Sequence, residues 1–252
     1  MTDVRLNVAD HVATVTLNRP ERRNAISSAL LAELRQILAE VDGRSDVRAI
    51  VLTGADPAFC AGLDLNELAQ PGSRLAVGSR QDVLPDLATP LIGAINGAAV
   101  TGGLELALAC DFLIASDRAR FADTHARIGI QPGWGLTVAL PEAVGYRRAR
   151  EMSATGNFVD AHTALAWGLV NHVVPHAGLL AFCSRLAADI ASCDPDALGA
   201  IFATYDRGSQ VTREDARRIE ATAHAAFHVQ GIDTGLIAER RSAVIERGRS
   251  QN

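Results

Sequence analysis

Lysine is absent from this 252-residue sequence, in which all 24 basic residues are arginine. A lysine Schiff base, a lysine-dependent phosphate loop and a serine–lysine pair are therefore excluded as mechanisms. The segment from Gly97 to Gly102 has the glycine spacing of a phosphate loop, but the lysine that should follow is missing. The sequence also lacks the G-x-S-x-G pattern that is typical of many serine hydrolases.

Cysteine is scarce, and the four that occur (Cys60, Cys110, Cys183 and Cys193) form no C-x-x-C pair. The first ten residues, MTDVRLNVAD, enter a strand pattern directly and do not resemble a signal peptide, so we expect reduced thiols and a cytoplasmic location. No apolar run approaches the roughly 18–20 residues that a membrane-spanning helix needs, so no membrane partner is expected. The net charge of -5 and the lack of a clustered basic face argue against a nucleic-acid partner.

The composition is that of a globular protein, with 48% hydrophobic and 21% charged residues. Strand, turn and helix patterns alternate as far as Asp194-Pro195, and only helical patterns follow. We therefore predict an α/β core over residues 1–194 and a helical segment over residues 195–252. Residues 71–80 have the weakest pattern and predict a mobile loop, followed by a helix that continues to Ala88.

One stretch, from Pro90 to Asp111, suggests a binding site. It begins as a buried strand at Leu91, breaks at Asn96-Gly97 and turns through small residues to Gly102-Gly103, where an apolar helix begins. The first N–H groups of a helix have no partner within it, so this arrangement favours an anion. Glu105 is a carboxylate in the apolar first turn and is costly to bury, so it either caps the helix or takes part in chemistry.

Five segments of the chain resemble, in order, those of the enoyl-CoA hydratase/isomerase (crotonase) superfamily. They are residues 17–20 with 24–25 (LNRP, NA), 58–65 (AFCAGLDL), 94–97 with 102–106 (AING, GGLEL), 128–129 with 132–133 (IG, PG), and 166–170 with 173–175 (AWGLV, VVP). The resemblance implies a spiral of stacked ββα units whose helical C-terminal segment makes trimer contacts. It further implies a homotrimer or dimer of trimers that acts on an acyl-CoA thioester in fatty-acid metabolism, such as β-oxidation, without a metal or a covalently bound cofactor.

The resemblance also assigns the site residues. The backbone N–H groups of Leu63 and Gly102 correspond to the oxyanion hole, which stabilises the negative charge that develops on a thioester oxygen. Gly133 corresponds to a backbone position that holds the catalytic water. The remaining matches fall in two loops that bind coenzyme A in the family: Arg22, Arg23, Ala25, Ala61, Asp64 and Leu65.

The catalytic pair departs from the family pattern. Hydratases of the family use two glutamates around one water, and Glu105 matches the first of them, whereas His125 stands in place of the second. Three alternatives follow. His125 replaces the glutamate as an acid or base; it shapes the pocket for an isomerase or hydroxyacyl-CoA dehydratase with Glu105 as sole base; or it is an inert polar residue in a weakly active acyl-CoA-binding homologue.

Two further expectations concern His125 and its neighbour Asp123. If His125 takes part in catalysis, it should add a limb to the pH dependence of kcat/KM around pH 6–7, and a flat profile there would count against its involvement. Asp123, two residues before His125, is a second candidate to replace the missing glutamate, but a loop turn or a pair with Arg120 or Arg127 is the role we expect of it.

Overall fold

A computed structural model describes residues 2–73, 75, 83–209, 211–229 and 234–250. The chain divides into two compact units, Met1–Cys193 and Asp194–Asn252. The loop predicted at residues 71–80 lies mostly outside the described ranges.

In the described part of the first unit, ten strands form two sheets. They are β1 (Val4–Ala9), β2 (Val12–Leu17), β3 (Ala49–Gly54), β4 (Ala58–Cys60), β5 (Leu91–Ile95), β6 (Ala98–Val100), β7 (Phe112–Ser116), β8 (Arg120–Ala122), β9 (Val159–Asp160) and β10 (His172–Val174). The larger sheet has the order β1-β2-β3-β5-β7-β10, and the smaller has the order β4-β6-β8-β9. Strands β1 and β2 form an antiparallel hairpin, and β3, β5, β7 and β10 extend the sheet in parallel.

The connections between the two sheets define a spiral. Each of three successive strand pairs places its first strand in the larger sheet and its second in the smaller one: β3 then β4, β5 then β6, and β7 then β8. The short strands β4, β6 and β8 are parallel neighbours, so the loops that follow them meet at one edge. This arrangement confirms the predicted α/β spiral.

Among its described residues the first unit also contains eight α-helices: α1 (Ser28–Asp42), α2 (Leu65–Leu68), α3 (Gly102–Leu108), α4 (His125–Ile128), α5 (Leu136–Val144), α6 (Tyr146–Thr155), α7 (Ala161–Trp167) and α8 (Leu179–Ala191). Helix α1 starts where the Ser27 hydroxyl accepts the backbone N–H of Leu30. Its buried side chains recur at helical spacing, at Leu30, Leu34, Leu38 and Val41. Helix α3 is the most enclosed, because every residue from Gly102 to Ala107 is buried.

The second unit contains α9 (Pro195–Ser209), α10 (Arg213–Phe227) and α11 (Thr234–Ser250). The Thr212 hydroxyl caps α10 by accepting the backbone N–H of Asp215. Arg240 lies 3.0 Å from the carboxylate of Asp194. Within the described ranges, no helix combines the length and the apolar character needed to cross a membrane.

The helix predicted to continue to Ala88 is wrong for the described part of that segment, since residues 84–90 are irregular. Pro85 disfavours helical geometry in the residue before it, and Pro90 does the same to Thr89. The backbone N–H groups of Ala88 and Thr89 instead donate to the carboxylate of Asp42, at 3.0 and 2.7 Å. That carboxylate ties the segment entering β5 to the end of α1.

Candidate active site

Close backbone packing brings the N-terminus of α3 against the end of β4. A Cβ atom added to Gly103 would lie 2.1 Å from the carbonyl oxygen of Cys60, so only glycine fits there. Thr101, just before the helix, has a positive φ of 54°, which is uncommon for a residue with a side chain. Its backbone N–H donates to Ala122 at 2.9 Å, and its hydroxyl lies 2.5 Å from that of Thr124. Thr101 therefore joins the start of α3 to the segment that carries His125.

Leu63 lies beside Gly102 at this junction. Ile26 donates to the carbonyl of Gly62 and accepts the N–H of Asp64, both at 2.8 Å, so the intervening N–H of Leu63 points to the opposite side. A Cβ atom added to Gly102 would lie 3.6 Å from the Leu63 side chain. Within the described part of the chain, neither Leu63 nor Gly102 uses its N–H in a backbone bond outside the regular elements. The structure thus brings the two predicted donors together, and their role as an oxyanion hole stays a prediction.

Glu105 is buried in the first turn of α3, with 3% of its surface exposed. One carboxylate oxygen, Oε1, accepts the backbone N–H of Trp134 at 2.8 Å. The other, Oε2, lies 3.4 Å from Nε2 of His125. Of the two roles considered for Glu105, capping of the helix does not occur, because its carboxylate contacts groups outside α3.

His125 is equally buried and lies between two carboxylates. Its Nδ1 is 2.7 Å from Oδ1 of Asp123, and its Nε2 faces Glu105. Burial by itself lowers the pKa of the imidazole, but the hydrogen bond to Asp123 and the contact with Glu105 outweigh it and raise that pKa to about 9. The ring is therefore protonated at neutral pH.

Asp123 forms the loop turn that was expected of it, because its carboxylate accepts the backbone N–H of His125, two residues further along the chain. Its expected pairing with Arg120 or Arg127 is wrong, because its carboxylate accepts both the ring Nδ1–H and the backbone N–H of His125, the latter at 3.1 Å. Arg127 instead directs its guanidinium to the carbonyl oxygen of Thr155, with Nε at 2.8 Å. Burial alone would raise the pKa of Asp123, but its bond from His125 holds that pKa below the ordinary value.

Trp134 is the second residue whose contact was not anticipated. Gly133, which matches the family's water-holding position, is exposed, and the N–H that reaches Glu105 belongs to the next residue. The indole ring of Trp134 lies 3.2 Å from the position that a Cβ atom of Gly102 would occupy. The residue therefore contacts both the carboxylate and the start of α3.

The two loops predicted to bind coenzyme A are joined by backbone hydrogen bonds. The N–H of Ala61 donates to Arg23 at 3.0 Å, and Ile26 pairs with the next part of the loop. The side chains of Arg22 and Arg23 are exposed. Asn24, which is fully buried, fixes the first loop by donating to the carbonyls of Ala55 and Ala58 at 2.8 and 2.7 Å.

Asp64 and Arg19 also connect the same two loops. The Arg19 guanidinium lies 3.1 Å from the Asp64 carboxylate and donates to the carbonyl of Ala25 at 2.7 Å. Asp64 also accepts the N–H of Asn66 at 3.1 Å and so caps α2. Its partial burial alone would raise its pKa, but these partners hold it below the ordinary value. Leu65, by contrast, is 55% exposed.

A serine, a histidine and an aspartate also meet elsewhere in the unit. The hydroxyl of Ser116 lies 3.0 Å from Nδ1 of His176, whose Nε2 lies 3.1 Å from Asp56. Ser116 is fully buried, so its oxygen cannot reach a substrate, and the three side chains act as a structural tie between strand ends.

Among the described residues, no group of three or more histidine, cysteine, aspartate or glutamate side chains is arranged to hold a metal ion.

The start of α3 is lined by glycines, two N–H groups lie side by side there, and the buried cluster of Glu105, Asp123 and His125 adjoins them. Comparison with known proteins shows the family to which a chain with this fold and site belongs. The family model for enoyl-CoA hydratase/isomerase matches residues 7–247, and the chain belongs to this family.

Three relatives illustrate the similarity. A putative enoyl-CoA hydratase/isomerase of Bacillus subtilis is 38% identical over 222 residues, which cover 85% of each chain. A probable peroxisomal enoyl-CoA hydratase of Arabidopsis thaliana is 41% identical over 170 residues, which cover 65% of this chain and 63% of the relative. The crystal structure of an enoyl-CoA hydratase from Mycobacterium paratuberculosis matches with 48% identity and a TM-score of 0.77, covering 88% of this chain and 96% of that one.

Proposed function

We propose that the protein adds water to the double bond of a 2-enoyl-CoA. Glu105 accepts a proton from the water, His125 donates one to the substrate, and the N–H groups of Leu63 and Gly102 stabilise the thioester oxygen. The observation that carries the proposal is the direct contact, 3.4 Å, between the buried carboxylate of Glu105 and the buried imidazole of His125 beside those donors. An acid and a base next to one oxyanion site are what hydration of a thioester-conjugated double bond requires.

The reaction balances without a group from outside the site. The water oxygen bonds to the β-carbon while one of its protons passes to Glu105, and the electrons of the double bond move onto the thioester oxygen. The resulting enolate collapses as its α-carbon takes the proton from Nε2 of His125. Glu105 then returns its proton to His125 across their contact, and the site is reset.

Coenzyme A would be held by the two joined loops. The exposed Arg22 and Arg23 suit its phosphate groups, because guanidinium groups form strong hydrogen bonds to phosphate oxygens. Ala25, Ala61, Asp64 and Leu65 would shape the groove, with Asp64 acting through Arg19 and α2. The N–H of Trp134 donates to Glu105 and so positions that carboxylate, while holding the water stays the role proposed for Gly133.

The wider setting is part of the same proposal. A homotrimer or a dimer of trimers fits the exposed apolar side chains of the second unit, among them Ile201, Tyr205 and Phe227. The enzyme would act in the cytoplasm, in fatty-acid metabolism such as β-oxidation. Neither a metal nor a covalently bound cofactor is needed for the steps described.

The test is the hydration of crotonyl-CoA by purified wild type, Glu105→Ala and His125→Ala, with products identified by mass. Removal of a positioned acid or base typically costs about 10²–10⁴ in rate, so both variants should lose at least 10²-fold in kcat. Glu142→Ala, which removes an exposed glutamate from α5, is the matched control and should keep wild-type activity.

The alternatives give different results in this assay. Full activity of Glu105→Ala would refute the mechanism, and full activity of His125→Ala alone would make His125 inert. Turnover of only 3-enoyl or 3-hydroxyacyl thioesters from a substrate panel would identify an isomerase or a dehydratase. Binding of coenzyme A thioesters without any turnover would identify a binding protein.

A further inference from the structure

We propose that Asp123 is a positioning residue that holds His125 as an imidazolium with its Nε2–H directed at Glu105. The inference rests on the proposed hydratase function, in which this imidazolium is the acid. Asp123 itself does not touch the substrate in that scheme. It acts through His125, which contacts it on one side and Glu105 on the other.

The geometry fixes the orientation of the ring. Oδ1 of Asp123 accepts two hydrogen bonds from His125, one from the backbone N–H at 3.1 Å and one from Nδ1 at 2.7 Å. Both residues are almost fully buried, with 2% and 3% of their surfaces exposed. Since Nδ1 is committed to Asp123, Nε2 is the atom presented to Glu105 and to the reaction. A short carboxylate–histidine bond of this kind fixes both the tautomer and the ring plane.

The local charges favour the protonated ring. Glu105 faces it from α3, and Asp123 faces it from the segment before α4. The Ser153 hydroxyl of α6 donates to Asp123 but carries no charge, and the Arg127 guanidinium turns away to Thr155. With a neutral ring, two neighbouring buried carboxylates would have no counter-charge, which is costly.

Protonation also explains how histidine can replace a glutamate. A pair of glutamates that shares one proton, as an acid and a base must, carries a net charge of minus one. The cluster of Glu105, Asp123 and a protonated His125 carries the same net charge. Asp123 therefore restores the charge balance that the change from glutamate to histidine would otherwise alter.

Histidine NMR of the full chain, without substrate, tests the inference directly. The sequence has seven histidines, and His125→Gln assigns the signal of His125. We expect His125 to stay protonated at pH 8 in the wild type, and Asp123→Asn to lower its titration midpoint by at least about one pH unit. Asp160→Asn, the same charge change at an exposed helix cap, is the control and should leave the midpoint unmoved.

Two results would overturn the inference: a wild-type midpoint near the ordinary histidine value, or an unchanged midpoint in folded Asp123→Asn. If Asp123→Asn does not fold, the titration midpoint of His125 in the wild type alone shows whether the pKa of that residue is raised or ordinary. This measurement needs no activity, so it is independent of the proposed reaction. Failure to hydrate any enoyl-CoA would refute the function, whereas an ordinary titration of His125 in an active hydratase would leave the function standing and refute the role of Asp123.

Kinetics provide a second readout that a merely structural role would not produce. The loss of kcat/KM in Asp123→Asn should grow with pH, from a few-fold at pH 6 to at least about tenfold at pH 8.5, because the variant loses its imidazolium earlier. In a His125→Gln background, the same substitution should have no further pH-dependent effect. A loss that is uniform across pH, or that persists in the double variant, would contradict action through His125.

Discussion

At the scale of single residues, the main feature of the site is that its titratable side chains are buried. Glu105, Asp123 and His125 are each at most 3% exposed, and the proposed mechanism requires charged groups among them. Isolated buried charges are expensive, and these are tolerable because each carboxylate contacts the imidazolium and also accepts a backbone N–H. The network is therefore held in one geometry, which is what an acid and a base facing a common substrate need.

Sequence reasoning located two of these three residues. Glu105 and His125 were selected from their spacing to Gly102 and Phe121, and the structure places them in contact. The bond between Asp123 and the ring of His125 was not predicted, because Arg120 and Arg127 offered obvious charge partners in the sequence. The backbone turns between Asp123 and the start of α4, which folds the carboxylate back onto the ring two residues later. An aspartate two residues before a buried histidine, at a strand-to-helix turn, was the available signal.

At the scale of elements, the two glycines at the start of α3 have different reasons to be glycine. A Cβ atom at Gly103 would meet the carbonyl oxygen of Cys60 at 2.1 Å, whereas one at Gly102 would meet the edge of the Trp134 ring at 3.2 Å. Backbone cannot move aside without displacing β4, but a side chain can shift by a few tenths of an ångström.

The two alanine variants should therefore differ. Gly103→Ala should lower the free energy of unfolding by about 3 kcal/mol or more, the upper end of the cost of overpacking. Gly102→Ala should fold with a loss of about 1–2 kcal/mol, but it should reduce kcat by at least about tenfold, because the helix N–H and Trp134 are displaced. Urea denaturation and crotonyl-CoA kinetics measure both effects, and equal stability losses in the two variants would contradict this packing.

Regular elements were predicted well where a local pattern decides them, and poorly where tertiary contacts do. The hairpin of β1 and β2 and the buried strand β5 follow from alternation or from an apolar run bounded by turn residues. The helix expected to reach Ala88 does not form there, because Pro85 interrupts it and Asp42 captures the backbone N–H groups that follow. A contact with a carboxylate more than forty residues away cannot be predicted from the local sequence.

At the scale of the whole molecule, the family and the α/β spiral were predictable because five motifs occur in order along the chain. The family model and the solved structure of a mycobacterial relative confirm both. The acyl group could not be predicted, since sequence gives no pocket depth.

The oligomeric state can be tested on the second unit. A groove of about 430 Å³ between α9 and α10 is lined in part by Ile201, Tyr205 and Phe227, whose rings and methyl groups are well exposed. Apolar surfaces of this kind mark contacts between subunits. Light scattering should give three or six times the chain mass of 26.6 kDa.

The variant Phe227→Glu should dissociate the oligomer, because it places a charge on that apolar surface. Arg217→Glu, at an exposed position of the same helix, is the matched control and should leave the mass unchanged. A stable wild-type monomer would refute the proposed trimer.

The pH dependence of kcat/KM for crotonyl-CoA hydration shows whether a protonated His125 works with Glu105. The raised pKa of His125 means that the acid is present at neutral pH and is lost as the pH rises through about 9. The wild type should therefore show no limb at pH 6–7 from this residue and should lose activity near pH 9, whereas the residual activity of His125→Gln should lack that fall. A wild-type limb at pH 6–7, or the same high-pH fall in both proteins, would contradict the mechanism.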